Sequence, residues 1–287
     1  MLKFIKSPGF CVNNFRKFSS AVEIPAKLTL VNEKNGIRNV ILNSPKNRNA
    51  LSMDMMTELL ANLRRNKQDE NLRCIVLSAN GSVFSAGHNL KEFSMDKGQQ
   101  LHRQVFEKAT ELMLEIIQSP VPVIAKVNGL SAAAGCQLVA CCDIVVSTKN
   151  STFSTPGASF GVFCSTPGII VSRTVSLKQS LYMLLTGNTI TADEAVKSGL
   201  ITRVVPDETE LDQEIKRITD AINSKSRPII QRGKRFFYEQ NQMTLKSALK
   251  YGEQEMVDNI ATTDGQEGIQ SFIKKRKPVW KHSPEDS

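Results

Sequence analysis

The chain has 287 residues, a formal net charge of +9, six cysteines and 40% hydrophobic residues. This length and apolar content suit one α/β domain, and no run of about twenty uninterrupted apolar residues predicts a membrane span. No basic stripe interleaved with aromatic residues occurs, so nucleic acid is not an expected partner. The cysteines form no Cys-x-x-Cys pair and lie at no metal-ligand spacing with histidine, so no metal site is expected.

Residues 1–22 differ in composition from the rest of the chain. They carry four basic side chains and no acidic one, with apolar residues scattered among serines and asparagines. This pattern is typical of a mitochondrial transit peptide, whereas a secretory signal needs a continuous apolar segment. We predict removal near Phe18 or Ser19 and a location in the mitochondrial matrix; the alternative is a disordered basic tail. The net charge of +9 less these four positive charges leaves +5 for the mature chain.

Short β-branched runs alternate with amphipathic segments through the first two thirds of the chain. Strands are predicted at residues 40–42, 74–77, 121–125 and 144–146, because these runs are apolar and bounded by turn residues. Helices are predicted at residues 53–66 and 99–118. Strands connected by helices favour an α/β fold of stacked ββα units.

The last third of the chain has a helical pattern. Thr191 and Glu194 form a capping-box signature, and Gly199 is the expected end of that helix. Further helices are predicted at residues 208–223, 228–240, 245–259 and 264–275.

Two segments that contain small residues point to a site for an anionic oxygen. In residues 127–137 a strand runs through alanines and glycine into a helix, so backbone N–H groups at the helix start are available to an oxyanion. In residues 84–91, Ala86 and Gly87 permit close approach to the main chain. We predict that the backbone amides of His88 and Ala134 form an oxyanion hole.

These two segments resemble those of the crotonase (enoyl-CoA hydratase/isomerase) superfamily. The resemblance extends from about residue 28 to residue 280. Four further runs share it: residues 43–52, 142–145, 185–200 and 264–278. It implies a crotonase-like ββα spiral core, placed at residues 23–205, followed by a C-terminal helical oligomerisation (trimerisation) region at residues 206–287.

The resemblance also implies a ligand and an assembly. Acyl-CoA would be the ligand or substrate, with no separate cofactor, and the chain would form a homotrimer or hexamer. Main-chain carbonyls near Ala50 and Ala86 would recognise the adenine, and Lys91 would approach the phosphates. The positions that match the family's CoA contacts are Arg48, Ala50, Ala86, His88 and Lys91.

The sequence departs from the hydratase pattern at both catalytic positions. Hydratases of this family use two glutamates, which stand here as Gln137 and Gly157. An amide is not a base near neutral pH, and glycine has no side chain. Because general acid–base catalysis contributes about 10²- to 10⁴-fold, ordinary enoyl-CoA hydration is expected to be absent. We expect glutamates restored at both positions together to raise it.

Two further side chains each have two interpretations. Cys164 is either a packing residue or a nucleophile, and no basic residue beside it favours a thiolate. For His88, either the backbone amide alone is used or the imidazole also acts as a base.

Three functions therefore remain open. The first is an acyl-CoA-binding homologue of mitochondrial fatty-acid and lipid metabolism that lacks hydratase chemistry. The second is an active acyl-CoA isomerase, decarboxylase or thioesterase that uses the oxyanion hole. The third is a non-catalytic interaction protein that no longer binds CoA. Residues 43–52 resemble the family's first CoA-binding turn and are called the CoA turn below. This turn and both oxyanion segments argue against the third function.

Overall fold

The computed structural model describes residues 27–283. The predicted transit peptide lies outside these residues. Within them, ten strands are found: β1 Thr29–Lys34, β2 Ile37–Leu42, β3 Cys74–Ala79, β4 Val83–Ser85, β5 Val123–Val127, β6 Leu130–Ala132, β7 Ile144–Thr148, β8 Thr152–Ser154, β9 Ile190–Thr191 and β10 Arg203–Val205. The α-helices of the same range are α1 Met53–Arg64, α2 Gly98–Ile117, α3 Ala134–Ala140, α4 Ser165–Thr174, α5 Leu177–Thr186, α6 Ala192–Ser198, α7 Glu208–Asn223, α8 Arg227–Gln240, α9 Leu245–Ala261 and α10 Thr263–Ile273.

The strands form two sheets. The larger has the order β1-β2-β3-β5-β7-β10, and the smaller has the order β4-β6-β8-β9. Only β1–β2 and β8–β9 pair antiparallel; all other neighbours are parallel.

The chain builds these sheets in successive turns. The pairs β3–β4, β5–β6 and β7–β8 each give one strand to the larger sheet and the next to the smaller sheet, and helices follow each pair. This confirms the predicted α/β fold of stacked ββα units. Consecutive turns therefore place equivalent strand ends side by side in the smaller sheet.

The central strands are apolar on both faces because helices cover both sides of the larger sheet. On β3, Ile75 and Leu77 join the main core, whereas Cys74 and Val76 pack with Leu211 of α7. This two-sided burial explains why β3 is a continuous apolar run and does not alternate.

The predicted strands and helices are found, with shifted ends. The strand expected from residue 121 begins at Val123. The preceding Pro122 has no N–H to donate, although its carbonyl accepts from Ile75 N at 2.9 Å. The capping box of Thr191 and Glu194 is confirmed, and Gly199 ends that helix with φ 89°.

The helix α8 is held to the core by a buried ion pair. Lys234 Nζ lies 2.7 Å from Asp143 Oδ2, and Tyr238 donates to Asp143 Oδ1 at 3.0 Å. Lys234 Nζ also donates to the carbonyls of Ile116 and Val121. Helix α8 is thus anchored to the segments that lead into β5 and β7 of the core.

Candidate functional site

The two predicted oxyanion segments lie against each other. Gly87 follows β4 with φ 87°, and a methyl group placed on it would lie 2.9 Å from the Ala132 carbonyl oxygen and 3.1 Å from the Ala134 nitrogen. A methyl group on Gly135 would lie 2.4 Å from the Ser85 carbonyl oxygen. Both glycines are therefore required by the close approach of the two loops.

The two backbone amides proposed as donors are free to bind a ligand. Within residues 27–283, the N–H groups of His88 and Ala134 have no hydrogen-bond acceptor. Ala134 is the first residue of α3, whose first N–H groups have no partner inside the helix. Ala133, just before it, is held by a 2.9 Å bond from its N–H to the Ser154 carbonyl.

The predicted CoA turn joins the first of these loops. It consists of a 3₁₀ helix at Pro45–Asn47 and two successive left-handed residues, Arg48 (φ 52°) and Asn49 (φ 49°). The Arg48 carbonyl accepts from Ala86 N at 3.0 Å. The turn and the oxyanion loop are therefore one connected unit.

The side chains predicted to meet CoA are placed at the edge of this unit. Arg48 and Lys91 are exposed, and neither forms an ion pair with another residue of the described range. The carbonyl of Ala50 already accepts from Ser52 N at 2.9 Å, so one of its two lone pairs is used. Ala86 is half-buried beside Gly87.

Gln137 occupies the first hydratase position. It lies one helical turn after Ala134 on α3 and is 6% exposed. Helical side chains lean toward the helix N-terminus, so the amide of Gln137 leans toward Ala134. Its Oε1 atom is buried and has no hydrogen-bond partner within residues 27–283.

Gly157, at the second hydratase position, has no space for a side chain. A methyl group there would lie 2.0 Å from the Val162 carbonyl oxygen and 2.8 Å from Cys164 Sγ. The turn is closed by a 3.0 Å bond from Val162 N to the Gly157 carbonyl. A glutamate at position 157 would therefore collide with this turn, so the expectation that glutamates at Gln137 and Gly157 restore hydration requires the turn to move.

Cys164 braces the same turn. Its Sγ accepts from Gly157 N at 3.3 Å, the side chain is 8% exposed, and burial raises the pKa of the thiol. Because the thiolate is the nucleophilic form, these contacts support the packing interpretation.

The imidazole of His88 is enclosed by aromatic rings. Phe93 and Phe106 contact it edge-on, with ring centroids 5.6 and 5.5 Å away. Its Nδ1 lies 3.3 Å from the Leu51 carbonyl, which can only accept, so Nδ1 carries the proton and Nε2 a lone pair. Nε2 is buried without a partner in the described range, and burial lowers the pKa of the ring.

Sequence reasoning did not assign a role to Asn49 or Ser85, although both are fully buried between the CoA turn and the oxyanion loop. Asn49 lies within the recognised motif of residues 43–52. Asparagine is one of the few residues that tolerate the left-handed region, and that preference is the signal that could have identified it.

This fold and these loops define a class of protein. The chain belongs to the enoyl-CoA hydratase/isomerase family, whose model matches residues 32–283. It is an enoyl-CoA hydratase-like protein with mitochondrial homologues.

Individual relatives are similar over most of their length. The chain is 49% identical to human "Enoyl-CoA hydratase domain-containing protein 3, mitochondrial" over 89% of this chain and 84% of that protein. Identity to the mouse protein of the same name is 46%, over 96% and 91%. The crystal structure of the human protein superposes with a TM-score of 0.87 at 48% identity, covering 88% of this chain and 100% of that one. An enoyl-CoA hydratase structure from Mycobacterium smegmatis gives 0.86 at 38% identity, covering 89% and 99%.

Proposed function

We propose that the mature chain is an acyl-CoA-binding crotonase homologue of mitochondrial fatty-acid metabolism without ordinary hydratase activity. One observation carries this proposal. The free amides of His88 and Ala134 are kept together by two closely packed loops, while Gln137 and Gly157 provide no carboxylate. Fixed backbone donors suit a thioester oxygen, but activation of water needs a base.

The CoA portion would bind along the connected turn and loop. Arg48 and Lys91 are exposed cations without an ion-pair partner in the described range, and both suit the CoA phosphates. The carbonyls of Ala50 and Ala86 would accept from the adenine amino group. His88 would contribute its amide to the thioester.

A second candidate function is an active acyl-CoA isomerase, decarboxylase or thioesterase. The tautomer of His88 favours this function. A general base needs an unprotonated nitrogen, and Nε2 of His88 is unprotonated. His88→Ala keeps the backbone amide. Loss of a measured turnover in this variant, with unchanged CoA affinity, would make the imidazole catalytic.

The assembly and location belong to the same proposal. The core of residues 23–205 would carry the site, and residues 206–287 would join copies into a trimer or hexamer. Residues 1–22 would direct the chain to the mitochondrial matrix and be removed there. A reporter fused to residues 1–22 tests this: import supports it, and a cytosolic reporter contradicts it.

The central test measures binding and turnover together. Calorimetry with acyl-CoA thioesters of increasing chain length should show binding to the mature oligomer, and crotonyl-CoA should not be hydrated above background. Lys91→Ala should weaken binding about twofold to fivefold, the range of an exposed charge pair, whereas Lys216→Ala on the distant α7 should not. Absence of heat with every thioester supports the non-catalytic interaction protein, and hydration at an ordinary hydratase rate contradicts the argument from Gln137 and Gly157.

A further inference from the structure

We propose that Asn49 and Ser85 are positioning residues that couple the CoA turn to the oxyanion loop, so that the turn sets where the His88 amide lies. This inference rests on the proposed function, because it concerns the thioester at the same site. Neither residue is exposed to the ligand, since both have an exposed fraction of 0%.

Asn49 fastens the turn to the strand that leads into the loop. Its Nδ2 group donates to the carbonyls of Asn80 at 2.9 Å and Val83 at 2.7 Å. Its Oδ1 accepts from Ser44 N at 2.8 Å, and its own N–H donates to the Ser44 carbonyl at 2.9 Å. Both N–H groups of this amide and one lone pair of its oxygen are therefore used within the protein, and burial keeps the remaining lone pair from a ligand.

Ser85 carries the connection from the turn to the glycine of the loop. Its hydroxyl donates to the Asn49 carbonyl at 2.9 Å and accepts from Gly87 N at 3.2 Å. On the other side of the turn, Leu51 N donates to the Gly87 carbonyl at 2.8 Å. Gly87 is thus held at its N–H by Ser85 and at its C=O by Leu51 of the turn, and the next amide in the chain is that of His88.

In this arrangement, the direction of the His88 N–H depends on the position of the CoA turn. Gly87 has a positive φ and no side chain, so hydrogen bonds determine how the peptide that joins it to His88 is turned. The bond from Leu51 N to the Gly87 carbonyl restricts this peptide directly, and the Ser85 hydroxyl restricts the preceding peptide through Gly87 N. A displacement of the CoA turn would move the Asn49 carbonyl, the Ser85 hydroxyl and the Gly87–His88 peptide together.

The test compares two ligands that differ only at the carbonyl. An acyl-CoA thioester has the oxygen that the amides would hold, whereas its thioether analogue has a methylene in that place. The ratio of their affinities therefore reports the oxyanion hole, and the affinity for the thioether reports the CoA turn.

Ser85→Ala should lower the ratio by about threefold to tenfold, as expected for one hydrogen bond, with the thioether affinity nearly unchanged. Asn49→Gly keeps the left-handed backbone and should lower both quantities.

Matched variants separate positioning from general destabilisation. Ser147→Ala removes a buried hydroxyl that has no partner in the described range. Asn35→Gly removes an exposed side chain in the β1–β2 turn at a similar backbone angle, φ 52° against 49° for Asn49. Neither should change the ratio. An unchanged ratio in Ser85→Ala, or an equal loss of both affinities with a lower melting temperature, overturns the inference while leaving acyl-CoA binding intact. Equal binding of both ligands by the unchanged protein also overturns it. If neither ligand binds, the proposed function fails.

Discussion

Ala133 has an unusual backbone conformation beside the proposed oxyanion hole. Its φ of 49° and ψ of −119° suit glycine better than alanine. Non-glycine residues in such regions cost about 1–3 kcal/mol and persist where surrounding contacts fix them. Here the contacts are the bond from Ala133 N to Ser154 and the packing of Gly87. The strained residue directly precedes the Ala134 amide of the proposed oxyanion hole.

Ala133→Gly should therefore stabilise the fold. We expect the free energy of unfolding to rise by about 1 kcal/mol, measured by denaturant titration. Ala61→Gly at an exposed position of α1 is the control and should lower it by about 0.5–1 kcal/mol, as for glycine in any helix. A loss of stability in Ala133→Gly similar to that in Ala61→Gly would show that the backbone of Ala133 is not strained.

A substitution at Gly157 should lower the stability of the fold, in contrast to Ala133→Gly. Because a methyl group would meet the Val162 carbonyl at 2.0 Å, Gly157→Ala should destabilise the protein by about 1–3 kcal/mol, the usual cost of overpacking. Gly233 in α8 has no atom within 4 Å of such a methyl group, so Gly233→Ala should stabilise by about 0.5–1 kcal/mol. Thermal melts of both variants check this pair. Equal stability of the two variants, or hydration regained by the double glutamate variant, would show that the turn adapts.

The sequence alone showed that both carboxylates are missing, because residue identity at a motif position is directly readable. It could not show that Gly157 is crowded. That crowding depends on a turn that returns the Val162 carbonyl five residues later, and no periodicity encodes it.

At the scale of elements, long amphipathic helices were predictable and the shortest strands were not. The helices of the last third begin and end within a few residues of their predicted positions, because each has a polar cap and an apolar face. The strands β4, β6 and β8 have only three residues each. Such strands are too short to show an alternating pattern, yet they carry both oxyanion loops.

The segment after α10 folds back and is held by His282. Its Nδ1 accepts from Arg227 N at 3.2 Å, and the Arg73 guanidinium lies 2.8 Å from Nε2. Burial and Arg73 lower the pKa of the ring, against the opposing charges of Asp264 and Glu70. A protonated ring would lose its acceptor for Arg227 N.

This contact should loosen in mild acid. The fold favours the neutral ring, so the contribution of His282 to the free energy of unfolding is complete above the unfolded pKa of about 6.5. It declines as the pH falls from there toward the lower folded value, because the unfolded chain binds the proton first. The only tryptophan, Trp280, donates to the Ser224 carbonyl at 2.8 Å and reports the docked segment by its fluorescence.

His282→Gln is the control for that titration, since glutamine does not titrate. It should remove the change in Trp280 emission between pH 7.5 and 5.5, whereas any contribution of the buried His88 elsewhere in the fold stays. Emission that is constant in the unchanged protein, or identical changes in both proteins, would contradict a role for His282.

For the whole molecule, the apolar surface of the last helices predicts assembly. Leu249, Met256 and Phe272 are 62%, 59% and 85% exposed on α9 and α10. Leu249 and Met256 are seven residues apart and so share one face of α9, and large exposed apolar groups of this kind mark interaction surfaces. Sedimentation velocity should show a trimer or hexamer, and Leu249→Lys combined with Met256→Lys should dissociate it. Leu30→Lys on the edge strand β1 is the control. A monomeric unchanged protein contradicts the prediction.

The order in which the spiral is built also has a kinetic consequence. Val83 of β4 pairs in parallel with Leu130 of β6, so the two halves of the proposed site come from segments far apart in the chain. Parallel pairing of distant segments is slow to form, whereas helices form in microseconds or less. During refolding, helical circular dichroism should therefore recover before thioester binding does. A truncated chain that ends between β4 and β6 would contain the His88 amide and lack that of Ala134. Such a chain should not bind the thioester.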